Sequence, residues 1–329
     1  AWLVGAENKG LKYMFQMMNG ARIDVGLTAA STATAAYYAS LQYAKERPQG
    51  RRITEGGRKN KEAPQTLIIN HPDVRRMLLF QRAITEGSIS LLLEASLHED
   101  MSKCTSGEVR ERHENILEML TPIAKTYPSE MGRLSISNGL QILGGYGFCK
   151  DFPLEQYYRD VRIMALYEGT TGIQSLDLLG RKVVMKNGEA MKHLKEEIVK
   201  TITAAKKHES MGNASDDLEK AVSALEATIG ELLNFAMSGK HERYLADATI
   251  FMEMMGTIII AWQWLKMANA AELCLQSDEK ALNKEFYENK KLTMQYFFTY
   301  ELPKIYSLKA ILMNKDNLTI AEEFPEAFK

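Results

Sequence analysis

The segment QILGGYGFCKDFPLEQYYRDVRIMALYEGTTGIQ, residues 141–174, contains the clearest helix-ending and helix-starting signals in the chain. Three glycines fall within four positions near its start, where a helical pattern ends. A short helix is predicted after Pro153, and another begins at Thr170 or Thr171, because either hydroxyl can cap it. No strand pattern precedes the glycines, so the segment does not match a dinucleotide-binding strand–turn–helix unit. It predicts helices joined by tight turns.

Outside this segment, apolar residues recur at the spacing of amphipathic helices over long stretches. Prolines and glycines end these stretches, because proline cannot donate to the helical hydrogen-bond ladder and glycine readily adopts a helix-stopping conformation. Helices are predicted over about 11–47, 72–101 and 108–143, the last with an interruption near Pro122 or Pro128. Residues 49–66 are polar, basic and glycine-containing, and they predict a loop.

Four more helical stretches are predicted near 190–210, 215–238, 241–273 and 278–313, the last kinked or divided at Pro303. The polar stretch KNGEA at 186–190 indicates a boundary before them. We therefore predict an all-α fold. It comprises a helical bundle over residues 11–186, a second helical bundle over 187–313 and a tail over 314–329.

The first fifteen residues, AWLVGAENKGLKYMF, open with a short apolar piece and a polar turn, and they lack an initiator methionine. This pattern is typical of the last strand of a preceding domain. We therefore expect residues 1–10 to be the end of a missing β-domain, and the chain to be a fragment of a longer protein.

Composition restricts the classes of function. Of the 329 residues, 45% are apolar and 25% are charged, which is typical of a packed globular protein. A net charge of -1 argues against nucleic acid as the main partner. The longest apolar run, TIIIAWQWL at 257–265, is too short to span a membrane, so no membrane span is expected. The three cysteines and six histidines have no metal-ligand spacing, and we expect no metal site and a reducing, cytoplasmic location.

Glu168 has unusual neighbours for a carboxylate. Apolar residues at 163–167 precede it, and Gly169 follows. Its place in a connection puts it near free backbone N–H groups at the start of the next helix, where anions bind well. A carboxylate held among apolar groups is suited to act as a general base near neutral pH. From the residues alone, a capping or ion-paired glutamate explains the pattern better than a general base.

Five motifs taken together change this balance. NGAR (19–22), ERPQG (46–50), NHP (70–72), QILGGYGF (141–148) and YRDVRIMALYEGTTGIQ (158–174) occur in this order. Their order and spacing resemble the C-terminal half of acyl-CoA dehydrogenases over residues 2–186. The later part, with FMEMMGTIIIAWQWLKMANAA at 251–271, is similar to the extra helical domain of longer members. Those members include the group similar to 3-methylmercaptopropionyl-CoA dehydrogenase.

The resemblance implies an acyl-CoA dehydrogenase C-terminal four-helix bundle followed by an additional helical domain. It also implies FAD-dependent α,β-dehydrogenation of an acyl-CoA thioester to a trans-2-enoyl-CoA. Glu168 matches the catalytic base, which takes the α-proton while the flavin accepts a hydride from the β-carbon. Electron-transferring flavoprotein is the implied electron acceptor, and a homo-oligomer, dimer or tetramer, is implied. We expect FAD in the full-length parent but not in this fragment, which alone should be inactive.

The resemblance assigns further residues to the site. The substrate-binding positions are Asn19, Arg22 and Gly169, with Arg22 close to the base. The cofactor-binding positions fall in two groups. Thr170 and Thr171 would meet the flavin or its phosphates at the helix start, and the FAD of a partner subunit would be bound by Arg47, His71, Gln141, Gly144 and Gly145. The chain departs from many members at Gln49, where the loop is one residue shorter, and at Gly172, where many members have glutamine.

Two other classes of function stay open. Some relatives on this scaffold are linked to nucleic-acid protection, and a basic loop with Arg51, Arg52, Arg58, Lys59 and Lys61 is compatible with that role. The second bundle could instead serve assembly without catalysis. Its methionine- and aromatic-rich residues Phe251, Met254, Met255, Trp262, Trp264 and Met267 are most simply core, but they could line a subunit contact.

Overall fold

A computed structural model describes residues 1–53, 56–58, 62–276, 283–314 and 318–320. The predicted all-α fold is confirmed. The helices are α1 Gly10–Glu46, α2 Pro72–Cys104, α3 Gly107–Leu143, α4 Leu154–Val161, α5 Thr171–Asp177, α6 Glu189–Ala205, α7 Gly212–Met237, α8 His241–Ala246, α9 Ala248–Gln276, α10 Lys284–Tyr296 and α11 Ile305–Leu312. An isolated antiparallel bridge joins Pro48 and Leu67, the residues on either side of the predicted loop.

The chain divides into two compact units. The first unit contains residues 1–94 and 124–168, and the second contains residues 95–123 and 169–329. Helices α2 and α3 each contribute one part to each unit, so the units do not follow the predicted division at residue 186. The predicted domain bounds stay predictions, and most of the predicted tail lies outside the described residues.

Residues 1–9 precede α1 without forming a helix or strand. A strand needs a second strand as its hydrogen-bonding partner. The predicted end of a β-domain at residues 1–10 therefore stays a prediction.

Alanine residues of α1 form the centre of the first unit. Ala29, Ala33 and Ala36 are buried and belong to the same apolar cluster as Ile136 of α3 and Val161 of α4. Small side chains let helix backbones approach closely, so α1 can lie near its neighbours along much of its length.

The predicted interruption of α3 is wrong, because the helix continues through both Pro122 and Pro128. Proline has no N–H, so Pro128 cannot donate to the carbonyl of Ala124 four residues earlier. Gly26 of α1 lies directly against this carbonyl: a Cβ added at Gly26 would be 2.1 Å from the Ala124 oxygen. Packing against neighbouring helices therefore keeps α3 continuous where the local proline rule predicts a break.

Helix α9 is the core helix of the second unit, where it packs against α5, α6, α7, α10 and α11. Phe251, Met254, Met255, Trp262 and Trp264 are all buried, as expected for a core, and Met267 is half-buried. The expectation that no apolar run is long enough to span a membrane is wrong for Ala248–Gln276. By length and composition alone, this helix could cross a membrane. Its most apolar window is 83% buried, which is the pattern of a core helix.

Two predicted helices of the second unit are divided. The stretch predicted at 241–273 forms α8 and α9, with a break at Asp247. The stretch predicted at 278–313 forms α10 and α11, separated by a π turn over Phe297–Glu301 and a 3₁₀ turn over Leu302–Lys304. The predicted division at Pro303 is confirmed, and the first residues of that stretch lie outside the described residues.

Candidate functional site

Glu168 occupies a short connection with an unusual backbone. Helix α4 continues into a 3₁₀ turn over Arg162–Ala165, and α5 begins at Thr171. Between them, Glu168 and Gly169 both have left-handed backbones, with φ of 55° and 89°. A non-glycine residue in this region costs roughly 1–3 kcal/mol, and such residues concentrate at functional sites. The half-buried Glu168 therefore differs from an ordinary surface or capping glutamate.

The residues after Glu168 form a well-defined helix start in the second unit. The Thr170 hydroxyl accepts a hydrogen bond from the Ile173 N–H, which confirms Thr170 as the N-cap of α5. A Cβ added at Gly169 would lie 2.5 Å from Nε2 of the buried Gln174. Together with the left-handed backbone, this contact makes glycine the residue that position 169 accommodates without strain.

A buried lysine of the first unit interacts with Glu168. Lys125 of α3 has no exposed side-chain surface. Burial is the main cause that lowers the pKa of Lys125, to about 8, while the charge of Glu130 raises it, that of Arg22 lowers it and that of Glu168 raises it. These four residues therefore form one electrostatic cluster in the first unit, with Arg22 and Lys125 buried and the two carboxylates half-buried.

Lys125→Met is expected to increase the free energy of unfolding at pH 7 by about 1–3 kcal/mol, because the lowered pKa of Lys125 means that burial costs its charged form more than the nearby carboxylates return. In the wild type, the folded protein loses the Lys125 proton near pH 8, whereas the unfolded chain keeps it to about pH 10.4. Stability from this group therefore rises from pH 8 to pH 10.4, and the variant should lack that rise. Urea unfolding across this range measures both effects. Lys45→Met, at an exposed position of α1, is the control and should change neither quantity measurably.

The structure describes the side chain of one predicted substrate-side residue, Arg22, but only the backbone of another, Asn19. Arg22 lies on α1 and is 8% exposed, and its charge acts on the same lysine as that of Glu168. The structure therefore brings Arg22 and Glu168 to one cluster. The backbone of Asn19 belongs to α1, but its side chain lies outside the described residues.

Three of the predicted cofactor residues line one pocket. Gln141, Gly144 and Gly145 share a surface pocket of about 430 Å³ on the first unit with Phe148, whose side chain is 90% exposed. Gly144 has a φ of 60°, and a Cβ added at Gly144 or Gly145 would meet no atom within 4 Å. The paired glycines therefore leave open space that a flat or phosphate-bearing part of FAD could enter, so these residues fit the cofactor.

Arg47 and His71 have structural contacts within the first unit. The Arg47 guanidinium carbon lies 5.0 Å from the ring centroid of Tyr43 and 4.9 Å from that of Tyr146, which is cation–π geometry. Nε2 of His71 donates to the Gln49 carbonyl at 2.7 Å, and this bond ties the loop start to the residue before α2. The stacking places Arg47 beside the turn that carries Gly144 and Gly145, whereas His71 acts as a turn residue in this structure.

Sequence reasoning missed Lys125, Tyr43 and Tyr146. Lys125 stands in the stretch LTPIAKTYPSE, where Ile123 and Ala124 before it are buried. A lysine within a predominantly apolar stretch of a predicted helix is the signal that could have identified it. Nothing in the sequence indicates that Tyr43 and Tyr146, about a hundred positions apart, enclose the same arginine.

Two family models match the chain. The acyl-CoA dehydrogenase C-terminal domain matches residues 58–183, and the model described as acetyl-CoA dehydrogenase C-terminal like matches residues 194–322. The first match contains Glu168, Lys125 and the glycine pocket, and the second contains most of the second unit.

Curated relatives match both parts at once. The chain is 37% identical to 3-methylmercaptopropionyl-CoA dehydrogenase of Ruegeria pomeroyi over 90% of this chain and 49% of that protein. It is 31% identical to the broad-specificity linear acyl-CoA dehydrogenase FadE5 of Mycobacterium tuberculosis, over 96% of this chain and 52% of that protein. The chain thus spans about half the length of the curated relatives it matches.

A solved structure has the same fold. The acyl-CoA dehydrogenase of Bacillus anthracis, a structure in complex with FAD, superposes with a TM-score of 0.70 at 20% identity. The match covers 92% of this chain and 50% of that one. From the two family models and the curated relatives, we conclude that the chain belongs to the acyl-CoA dehydrogenase family of oxidoreductases and is similar to its 3-methylmercaptopropionyl-CoA dehydrogenase members.

Proposed function

We propose that this chain is part of an FAD-dependent acyl-CoA dehydrogenase that converts an acyl-CoA thioester into a trans-2-enoyl-CoA, with Glu168 as catalytic base. Family membership supports the class of reaction. The observation that carries the assignment of the base is the left-handed backbone of Glu168, whose side chain is electrostatically coupled to a buried lysine. Non-glycine residues in this disfavoured region concentrate at functional sites, which supports the assignment together with the family motif.

The proposed task of Glu168 is to remove the proton from the carbon next to the thioester carbonyl. As that proton leaves, negative charge develops on the thioester oxygen. We assign the Glu168 backbone N–H as a donor to this oxygen, because a fixed N–H stabilises developing charge without reorganising. Lys125 carries a positive charge that interacts with the base, and Arg22 is a second cation that interacts with Lys125.

FAD, when bound, supplies the acceptor for the hydride that leaves the β-carbon. The pocket formed by Gln141, Gly144 and Gly145, with Arg47 beside it, is the part of the first unit proposed to hold the cofactor. By the resemblance, this pocket and His71 serve the FAD of a partner subunit, whereas Thr170 and Thr171 meet the flavin or its phosphates.

The partners follow from the same proposal. The substrate is an acyl-CoA, the electron acceptor is electron-transferring flavoprotein, and the protein works as a homo-oligomer, dimer or tetramer, in the cytoplasm.

Anaerobic reduction of the flavin tests the function. The full-length protein, loaded with FAD, is mixed with a panel of acyl-CoA thioesters of different chain length, and loss of flavin absorbance is followed together with enoyl-CoA formation. We expect bleaching with at least one member of the panel and product in equal amount. If no thioester bleaches the flavin, and the protein instead binds DNA with a steep salt dependence, the nucleic-acid alternative replaces this proposal.

A further inference from the structure

Arg47 is the C-cap residue of α1, and its guanidinium lies over two tyrosine rings. Tyr43, one turn earlier on the same helix, accepts a hydrogen bond at its carbonyl from the Arg47 backbone N–H, at 2.9 Å. Tyr146 reaches the same guanidinium from the 3₁₀ turn Gly144–Phe148. The arginine therefore connects the end of α1 with the turn that carries the paired glycines.

The two tyrosine rings are held in place by their surroundings. The ring of Phe152 meets both of them edge to face, with its centroid 5.8 Å from that of Tyr43 and 5.7 Å from that of Tyr146. Tyr43 and Phe152 also pack against the apolar core of the first unit. The residue after Tyr146 is Gly147, which lies so close to α3 that a Cβ there would be 2.6 Å from the Leu140 carbonyl oxygen. The rings thus form a fixed support for the guanidinium.

Aromatic rings hold a cation without neutralising it. A carboxylate partner would compete with an anionic ligand for the guanidinium, whereas a ring face carries only partial negative charge. Among the described residues, no carboxylate forms an ion pair with Arg47. Desolvation lowers the pKa of Arg47, but the contacts with Tyr146 and Tyr43 outweigh this effect and raise it above its ordinary value. Arg47 therefore keeps a full positive charge that an anionic ligand can use.

The pocket beside Arg47 indicates which anion this is. Gly144 and Gly145 leave open space there, and FAD carries a diphosphate. A guanidinium binds phosphate through paired N–H donors in a fixed plane, so its orientation decides how well it binds. We propose that Tyr43 and Tyr146 are positioning residues for the cofactor site: their rings orient the Arg47 guanidinium toward the diphosphate of FAD. This inference rests on the proposed function, because it requires the pocket to hold FAD.

The affinity of the full-length protein for FAD, measured after removal of its cofactor, tests the inference without turnover. Tyr146→Leu removes a ring and should raise the Kd about 3- to 30-fold, the range of one cation–π contact. Tyr146→Phe keeps the ring and should bind FAD nearly as tightly as wild type. Tyr38→Leu, at an exposed tyrosine of α1, is the control and should leave the Kd unchanged. Quenching of flavin fluorescence during titration measures each Kd.

A double-mutant cycle shows whether Tyr146 acts through Arg47. Arg47→Gln alone should raise the Kd on the order of 10- to 100-fold, because it removes a charge-assisted contact with phosphate. Adding Tyr146→Leu to Arg47→Gln should then raise the Kd no further, since the ring has no cation left to orient. Tyr43→Leu and Tyr43→Phe repeat the same test from the other ring.

Three results would overturn the proposal. In the first, Tyr146→Leu weakens FAD binding equally with and without Arg47, as expected of a ring that only stabilises the fold. In the second, Tyr146→Phe binds FAD as weakly as Tyr146→Leu, so that the hydroxyl and not the ring is needed. In the third, Arg47→Gln binds FAD as tightly as wild type.

The proposed function and the positioning role fail in distinguishable ways. If the wild-type protein binds no FAD and no acyl-CoA thioester is oxidised, the proposed function is wrong and the role of the two tyrosines falls with it. If wild type binds FAD and is reduced by a thioester, but the variants of Arg47 and Tyr146 bind FAD as tightly as wild type, the function stands and the positioning role alone is wrong.

Discussion

Glu168→Gln is expected to slow flavin reduction by an acyl-CoA substrate by at least on the order of 10²- to 10⁴-fold in the FAD-loaded full-length protein. Glutamine keeps the size of the side chain but cannot accept the α-proton at neutral pH. Removal of the base therefore blocks the bond breaking, whereas binding of the cofactor and substrate should persist. The measurement is stopped-flow bleaching of the flavin without oxygen, with FAD content and acyl-CoA affinity determined in parallel.

The control for this variant is Glu155→Gln, which removes a carboxylate from the first turn of α4. It should retain the wild-type rate of bleaching. A Glu168→Gln variant that binds FAD and bleaches as fast as Glu155→Gln would show that another group removes the proton.

Gly26→Ala should lower the free energy of unfolding of the first unit by about 1–3 kcal/mol. The new methyl group would lie 2.1 Å from the Ala124 carbonyl oxygen and 2.9 Å from a methyl carbon of Leu92. The backbone of α3 can yield only by moving the whole helix, so relief is costly. Urea unfolding followed by helical circular dichroism measures the change.

Gly20→Ala is the matched control, because it makes the same substitution in the same helix. A Cβ at Gly20 meets no atom within 4 Å. Alanine is the better helix former, so this variant should stabilise the protein by roughly 0.5–1 kcal/mol. Because the two variants should change the free energy of unfolding in opposite directions, the effect of the close contact at Gly26 is distinguished from the effect of helix propensity. A stabilising Gly26→Ala would contradict the close packing of α1 against α3.

Local signals predicted the helix ends well. Pro48 and Pro72 mark the end of α1 and the start of α2, and the Thr170 hydroxyl caps α5, because each of these effects depends only on nearby atoms. The continuity of α3 through Pro128 could not be predicted in this way, since it depends on packing between distant parts of the chain.

In the candidate site, too, local signals were predictable from the sequence and effects of tertiary packing were not. The resemblance identified Glu168 by its motif, but nothing in its residue type indicates a left-handed backbone, which is normally the property of glycine. Lys125 escaped notice because helical periodicity does not indicate which lysine points inward. The link between the two requires the α1–α3 crossing and the connection after α4 to be known together.

The conformation of Glu168 has a consequence for engineering. At a φ of 55° the local backbone favours glycine or asparagine over glutamate, so either replacement would relieve strain. A directed-evolution screen that rewards heat resistance alone should therefore drift away from glutamate at position 168. The next residue is a poor place for the carboxylate, because any side chain at 169 would be strained at a φ of 89° and its Cβ would press on the buried Gln174 amide. On the proposed role of Glu168, libraries built on this scaffold need selection for turnover at every round, because selection for stability alone would remove the base.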